Sequence, residues 1–316
     1  EAGALSSFIA AGTSFTNHDC PMIPFYYFYS MFGFQRIGDL AWAAGDSQAR
    51  GFLMGGTSGR TTMAGEGLQH QDGHSQVLAS TIPNCVAYDP TYAYEVAVII
   101  RDGLRRMLQD EEHVYYYLTV TNEKYAHPEM PEGVEEGILR GMYRLRKSEG
   151  TGARINLLGS GAILLEVLAA ADLLEEDYGV AVDVFSVPSF NELKRDADAV
   201  HRWNQRHPEE DPRRSHVEIC MADSTAPTVA ATDYISTYAD QIRSSVSGSY
   251  TVLGTEGFGR SDTRPKLRDF FEVDAKNIVL AALNALVAEG AIERDTVTHF
   301  IEKSGIDPDK PNPLGS

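Results

Sequence analysis

Residues 21–75 read PMIPFYYFYSMFGFQRIGDLAWAAGDSQARGFLMGGTSGRTTMAGEGLQHQDGHS. An aromatic run leads into an apolar segment, a glycine-rich loop interrupts it, and a polar stretch follows. The polar stretch carries Glu66, His70, Asp72 and His74. Apolar walls with a few acid–base groups at the ends of loops are what a buried cofactor site requires. This stretch therefore predicts such a site, and the rest of the chain is organised around it.

Alternating strands and helices surround this stretch in the first half of the chain. The patterns predict helices at 2–14, 31–44 and 92–108, and strands at 23–28, 80–88 and 114–120. Residues 51–56 hold a short apolar run that the following glycines break. The aromatic strand at 23–28 is expected to be buried. A strand, a helix and a strand at this spacing are typical of a parallel α/β sheet.

The composition shifts over residues 122–151, which are rich in proline, glutamate and glycine and contain a short helix near 135–144. This exposed connector is the best domain boundary. Beyond it the patterns predict strands at 154–158, 181–187, 216–221 and 250–253, helices at 163–178, 190–199 and 275–290, and a surface tail at 307–316. The prediction is an α/β protein with two parallel-sheet domains, residues 1–145 and 146–316.

The amino-acid composition argues against several classes of protein. The 316 residues include 27 Lys and Arg against 45 Asp and Glu, a net charge of −18. No basic stripe forms, so nucleic acid is not an expected partner. No apolar run reaches the ~18 residues that span a bilayer, so no membrane is expected. Three widely spaced cysteines (Cys20, Cys85, Cys220) indicate a reducing compartment without disulfides or zinc, hence the cytoplasm.

The chain opens at Glu1, without methionine, in alanine-rich sequence that has the pattern of a helix already under way. We expect a fragment of a longer chain, or one half of a nicked protein. A lone glutamate before such a helix is ordinarily a solvated helix start that complements the dipole.

Two glycine motifs invite a nucleotide-binding interpretation. Gly159-x-Gly161 follows a predicted strand, but the third glycine of the fingerprint would fall at Leu164, so a tight turn is predicted. Gly254-x-x-Gly257-x-Gly259 also has the wrong spacing. It is interpreted as an ordered loop, and contact with a ligand or an interface stays open.

The sequence allows more than one role for the histidines and for the aromatic run. His70 and His74 could hold a metal on one helix face, lie in a polar loop without chemistry, or act as donors beside a reacting carbonyl. Spacing alone favours core packing for the aromatic run. Strand alternation puts Tyr27 and Tyr29 on one face and Tyr26 and Phe28 on the other, so at most one face can serve a ligand.

Long strings of this sequence resemble one family. They are PMIPFYYFYSMFGFQRIGDLAWAAGD (21–46), GGTSGRTTMAGEGLQHQDGHS (55–75), IPNCVAYDPTYAYEVAVI (82–99), MPEGVEEGI (130–138), LLGSGAIL (157–164) and VLGTEGFGRSDTR (252–264). Together they resemble the C-terminal part of the homodimeric, bacterial-type pyruvate dehydrogenase E1 family, and the likeness runs through the whole chain.

The resemblance implies a function and a set of partners. Residues 1–145 would be an N-terminally incomplete pyrimidine-binding domain, and 146–316 a transketolase-type C-terminal domain. The cofactor would be thiamine diphosphate with Mg²⁺, and the metal ligands are expected in an upstream domain, because the family's GDG…N element is absent here. Pyruvate would be decarboxylated, and lipoyl groups on the E2 dihydrolipoyl acetyltransferase would be reductively acetylated. The chain would need a second E1 copy, the missing N-terminal segment, or both.

The resemblance also implies roles for single residues. Glu1 would contact the pyrimidine N1′ and act in catalysis, and Phe32 and Tyr29 would stack on or beside the pyrimidine. Glu66, His70 and His74 would be catalytic loop residues, and Asp72 would bind the cofactor. Two alternatives stay open: another thiamine-dependent 2-oxo-acid or transketolase-like enzyme, and a non-catalytic half that lacks the diphosphate domain.

Overall fold

The structure, a computed structural model, describes residues 1–315. The strands are β1 (Phe25–Tyr29), β2 (Gly51–Gly56), β3 (Cys85–Tyr88), β4 (Tyr115–Val120), β5 (Tyr143–Arg146), β6 (Arg154–Gly159), β7 (Ala181–Ser186), β8 (Thr228–Ala231) and β9 (Tyr250–Leu253). The α-helices are α1 (Ala2–Gly12), α2 (Ser14–His18), α3 (Phe34–Asp46), α4 (Ser75–Ser80), α5 (Ala93–Leu108), α6 (Glu135–Arg140), α7 (Ile163–Tyr178), α8 (Phe190–Arg206), α9 (His216–Cys220), α10 (Thr237–Asp240), α11 (Arg264–Phe270), α12 (Ala275–Ala288) and α13 (Arg294–Ser304). Short 3-10 turns lie at Ser30–Phe32, Leu68–His70, Arg243–Ser245 and Pro313–Gly315.

The first sheet is parallel throughout, in the order β1-β2-β4-β3. Its inner strands β2 and β4 are buried almost along their whole length, because helices cover both faces. Residues of α1, α3 and α4 pack on one face. Residues of α5 and α6 pack on the other.

The second sheet has the order β5-β7-β6-β8-β9. Strands β6 to β9 are parallel, whereas β5 pairs with β7 in the antiparallel sense. The predicted parallel α/β class is confirmed, with one antiparallel edge strand that the sequence patterns had not indicated. The boundary predicted after residue 145 falls inside β5, and the division into domains stays a prediction.

One predicted strand is wrong. Residues 216–221 alternate in polarity, but His216–Cys220 is the helix α9. Ser215 and Glu218 form a capping box at its start, in which the Glu218 carboxylate accepts the Ser215 N–H at 2.6 Å. That reciprocal cap stabilises a helical turn locally, and the strand β8 lies further on, at Thr228–Ala231.

Strand β1 forms where it was predicted, but it is not buried. Its side chains alternate between exposed and half-buried, and Phe25, Tyr27 and Tyr29 are 41%, 66% and 46% exposed. In the described part of the chain β1 pairs with β2 alone, so one edge and one face stay open. This face is referred to below as the β1 face, meaning Phe25, Tyr27 and Tyr29.

The two sheets meet where strands β3, β6 and β7 end. The Asp89 N–H donates to the Pro188 carbonyl at 2.7 Å, and the Gly161 N–H donates to the Asp89 carbonyl at 3.1 Å. The Thr91 hydroxyl adds a bond of 2.7 Å to the Gly161 carbonyl. This contact, the seam, joins the carboxyl edges of both sheets, which is where α/β proteins place ligands. The predicted tight turn at Gly159–Gly161 is confirmed, with Gly161 in the left-handed region at φ +50°.

Candidate active site

Three of the predicted site residues form one group of rings. The ring centroids of Tyr29 and His70 are 5.3 Å apart, those of Phe32 and His70 are 5.2 Å apart, and those of Tyr29 and Phe32 are 5.9 Å apart. These separations lie in the range for tilted and edge-to-face ring contacts. We call Tyr29, Phe32 and His70 the ring cluster.

Local sequence explains how the aromatic side of the cluster is built. Strand β1 ends at Tyr29, a single 3-10 turn follows, and α3 begins after Gly33. A Cβ on Gly33 would lie 2.2 Å from the Phe28 ring, so no other residue fits the turn without displacing that ring. The Arg36 guanidinium lies 4.1 Å from the centre of the Phe32 ring and helps to orient it.

His70 reaches the cluster from the loop after β2. It closes the 3-10 turn Leu68–His70, and its N–H donates to the Gly67 carbonyl at 3.3 Å. Its Nδ1 is buried and has no hydrogen-bond partner among residues 1–315. A buried nitrogen without a partner costs free energy unless something outside the described chain bonds to it. His70 therefore brings an unpartnered polar atom to the ring cluster.

Asp72 is fully buried and fixes the loop behind His70. Its Oδ1 accepts the N–H groups of His74 at 3.0 Å and Ser75 at 2.9 Å, and also the Gln35 side-chain amide at 3.2 Å. Its Oδ2 accepts the Ser75 hydroxyl. These bonds satisfy the open N–H groups at the start of α4. The structure thus gives Asp72 a role in loop geometry, and its predicted contact with a cofactor stays a prediction.

The other predicted residues lie around the cluster rather than in it. Glu1 is exposed and precedes α1 without a side-chain cap bond. Burial and, to a smaller extent, the Glu1 carboxylate raise the pKa of the Tyr26 phenol. Glu66 is exposed, and His74 is half-buried at the start of α4. The catalytic roles of these residues and of His70 stay predictions.

Sequence reasoning missed two buried carboxyl groups at the seam. Asp89 and Asp233 line the same small cavity, and burial raises the pKa of each to about 7. The Thr119 hydroxyl donates to Asp89 Oδ1 at 2.7 Å, and the Thr61 N–H donates to Asp233 at 3.1 Å. The sequence does contain one indication of Asp89, since this residue directly follows the apolar strand Cys85–Tyr88. The sequence patterns used above do not single out Asp233.

Two kinds of feature are absent from residues 1–315. No group of three or more His, Cys, Asp or Glu side chains there is arranged to hold a metal ion. In the same residues, every helix is too short or too polar to cross a bilayer.

Comparisons with known proteins show what this chain is similar to. A family profile described as "Pyruvate dehydrogenase E1 component middle domain" matches residues 1–128, and one described as "Transketolase-like TK C-terminal domain" matches residues 141–274. The pyruvate dehydrogenase E1 component of Pseudomonas aeruginosa is 62% identical over 99% of this chain. The chain belongs to the pyruvate dehydrogenase E1 family. The Escherichia coli K12 protein of the same name is 57% identical over 99% of the chain.

The chain spans about a third of these E1 proteins, 36% of the Pseudomonas protein and 35% of the E. coli protein. It is similar to their C-terminal portion. What the complete proteins do therefore enters below as a proposal about this chain.

Solved structures with a similar fold include transketolases. Transketolase from Campylobacter jejuni superimposes with a TM-score of 0.66 at 17% identity, over 87% of this chain and 38% of that protein. A split-gene transketolase, described as an inactive beta4 tetramer, gives a TM-score of 0.66 at 16% identity, over 91% of this chain and 82% of that one. At these identities the likeness establishes the fold that the E1 family shares with transketolases.

Proposed function

We propose that this chain supplies the pyrimidine-binding and C-terminal domains of an acetyl-transferring pyruvate dehydrogenase. The complete enzyme decarboxylates pyruvate and reductively acetylates lipoyl groups on the E2 dihydrolipoyl acetyltransferase. The observation that carries the proposal is the ring cluster, where two aromatic rings and an imidazole with an unpartnered nitrogen converge beside the fixed loop of Asp72. Membership of the E1 family supports the choice of reaction.

The residues fit a flat heteroaromatic cofactor such as thiamine diphosphate. Tyr29 and Phe32 are both partly open and offer ring faces, and such rings bind planar groups well. They would hold the pyrimidine, and Glu1 would hydrogen-bond its N1′. When bound, the cofactor supplies an electron sink for the carbon–carbon bond cleavage.

His70 is the residue placed to handle protons. An imidazole changes protonation near neutral pH and can donate to a developing oxyanion or return a proton. Its Nδ1, which has no hydrogen-bond partner within residues 1–315, would be the atom that carries the proton. Glu66 and His74 flank it on the same loop and would assist when substrate closes the site.

The site proposed here is completed by protein outside residues 1–315. The β1 face leaves three large aromatic side chains between 41% and 66% exposed, more than isolated surface residues explain. A second E1 copy, the upstream segment, or both would cover this face, and the upstream domain would carry the Mg²⁺ ligands. The complete enzyme would work in the cytoplasm.

A substrate panel on the complete enzyme tests the proposal. With thiamine diphosphate and Mg²⁺ present, we expect CO₂ release from pyruvate coupled to lipoamide reduction, and no comparable rate with aldose acceptors. Preference for aldoses would replace the proposal with a transketolase-like activity. Absence of activity, together with tight cofactor binding by residues 1–316 alone in calorimetry, would contradict the division of the site between two pieces of protein.

A further inference from the structure

A loop from the second sheet lies directly on the segment that carries His70. This loop, residues 254–263 (GTEGFGRSDT), follows β9 and is called the docking loop here. The Gly65 N–H donates to the Asp262 carbonyl at 3.0 Å. A Cβ on Gly67 would lie 2.8 Å from the Ser261 hydroxyl oxygen, so the Ser261 side chain packs against Gly67. The docking loop thus forms one wall behind residues 65–71.

Gln71 makes the most specific contact across this boundary. Its side-chain Nε2 donates to the Arg260 carbonyl at 2.6 Å, and its Oε1 accepts the Arg260 N–H at 2.7 Å. One side-chain amide therefore pairs with both backbone groups of a single residue 189 positions away. Gln71 is 2% exposed, so losing either bond would leave a buried polar group without a partner.

Gly259 shows that the docking loop is shaped to receive this amide. A Cβ at Gly259 would lie 2.5 Å from Gln71 Oε1 and 2.8 Å from Gln71 Cβ. Any larger residue would displace the Gln71 side chain from Arg260. The fit is thus reciprocal, with a glycine on one side and a buried glutamine on the other.

Gln71 lies between His70 and Asp72, so its contact with Arg260 bears on the backbone next to His70. It directly follows His70 and directly precedes Asp72, whose carboxylate fixes the start of α4. Just beyond, the Gly73 carbonyl accepts the Ile235 N–H at 2.8 Å, again from the second half of the chain. The backbone on the C-terminal side of His70 is therefore held by three successive anchors, at 71, 72 and 73.

We propose that Gln71 is a positioning residue, through which the docking loop of the second sheet sets the orientation of His70 against the ring cluster. The proposal rests on the proposed function, because it gives the orientation of His70 a catalytic use. It assigns the C-terminal half a part in the active site although that half places no side chain in the ring cluster. Misplacing a reacting group by about 1 Å can cost roughly 100-fold in rate.

The test compares Gln71→Leu with Gln69→Leu in the complete enzyme. Leucine keeps the approximate volume and removes both amide bonds. Gln69 is the matched control, since it is a glutamine on the same loop but exposed. We expect Gln71→Leu to speed amide hydrogen exchange over residues 65–70 by about tenfold or more. We also expect it to lower kcat for pyruvate by roughly 10- to 100-fold, with the KM changed much less.

Gly259→Ala approaches the same contact from the other side and should reproduce both effects, and Gln69→Leu should produce neither. Unchanged exchange over 65–70 in Gln71→Leu would overturn the anchoring. Faster exchange with an unchanged kcat would overturn the positioning role. A complete wild-type enzyme inactive on pyruvate would instead refute the proposed function, and exchange would still report on the contact with the docking loop.

Discussion

Single side chains decide what the ring cluster can do. Tyr29, Phe32 and His70 converge from two separate segments, and His70 Nδ1 has no hydrogen-bond partner within residues 1–315. Glu1 is different, because its side chain is exposed and makes no cap bond to α1. A residue with few contacts of its own contributes little to folding, so its proposed role can be separated from stability.

Glu1→Gln in the complete enzyme is expected to lower pyruvate decarboxylation by roughly 100- to 10,000-fold, the usual contribution of a positioned acid or base. The free energy of unfolding should change by no more than about 0.5 kcal/mol, because the Glu1 side chain is exposed and makes no helix-cap hydrogen bond. Glu132→Gln, at another exposed glutamate, is the control. Decarboxylation assays and a melting curve measure both effects, and near-normal turnover would refute the role of Glu1.

At the scale of elements, local sequence predicted most strands and the long helices, but it missed β5 and β8 of the second sheet. Long periodic segments such as α7 and α12 formed almost within their predicted bounds. Strand β1 formed too, but its exposure depends on which strand pairs beside it, and the local pattern does not contain that information. In α9 the local signal was present in Ser215 and Glu218, and the alternating apolar residues outweighed it.

The same distinction holds for the site. Residues quoted from the family strings, such as Phe32 and His70, meet in space as a shared site requires. Gln71 and Asp89 stand in the same quoted strings, but only the fold shows their partners, the Arg260 backbone and the Thr119 hydroxyl. Asp233 likewise meets the Thr61 N–H only in the folded chain. Burial of polar groups at a seam depends on the packing of two sheets, and a single sequence does not encode that packing locally.

Helix α11 adds an ion-pair contact between the two halves of the chain. Arg268 on this helix pairs with Glu123 and, at 2.9 Å, with Glu166, while its own side chain is only 7% exposed. Arg268→Met should lower the free energy of unfolding by about 3 kcal/mol, because two partly buried carboxylates lose their partner. Arg101→Met is the control, since Arg101 pairs with Glu135 at the surface, where their side chains are 69% and 46% exposed. This substitution should lower the free energy of unfolding by less than about 1 kcal/mol. Urea unfolding measures both, and equal losses would contradict this account of α11.

At the scale of the whole molecule, the seam holds two buried carboxyl groups, Asp89 and Asp233, whose pKa values are raised. Asp89 is 3% exposed and lies near Asp72 and Glu95, which add to the effect of burial in raising the pKa of its carboxyl. Asp233 faces the same cavity, with Arg268 nearby opposing the shift. Two acids held largely protonated below neutrality allow the sheet ends to meet without repulsion, and that arrangement makes the stability of the seam depend on pH.

The direction of this dependence follows from the two states of Asp89. Burial raises its pKa to about 7 in the folded protein, against about 3.9 in an unfolded chain. Between these values the folded state keeps a proton that the unfolded state has released, so the stabilising contribution present below about pH 4 falls as pH rises towards 7.

Asp89→Asn removes this titration and should reduce the slope of unfolding free energy against pH, by up to about 1.4 kcal/mol per pH unit. Tyr234→Phe is the control, because Tyr234 lines the same cavity and its pKa is raised well above 10. Urea unfolding between pH 4.5 and 7 measures the slopes, and an unchanged slope in Asp89→Asn would show that Asp89 is already ionised in the folded protein.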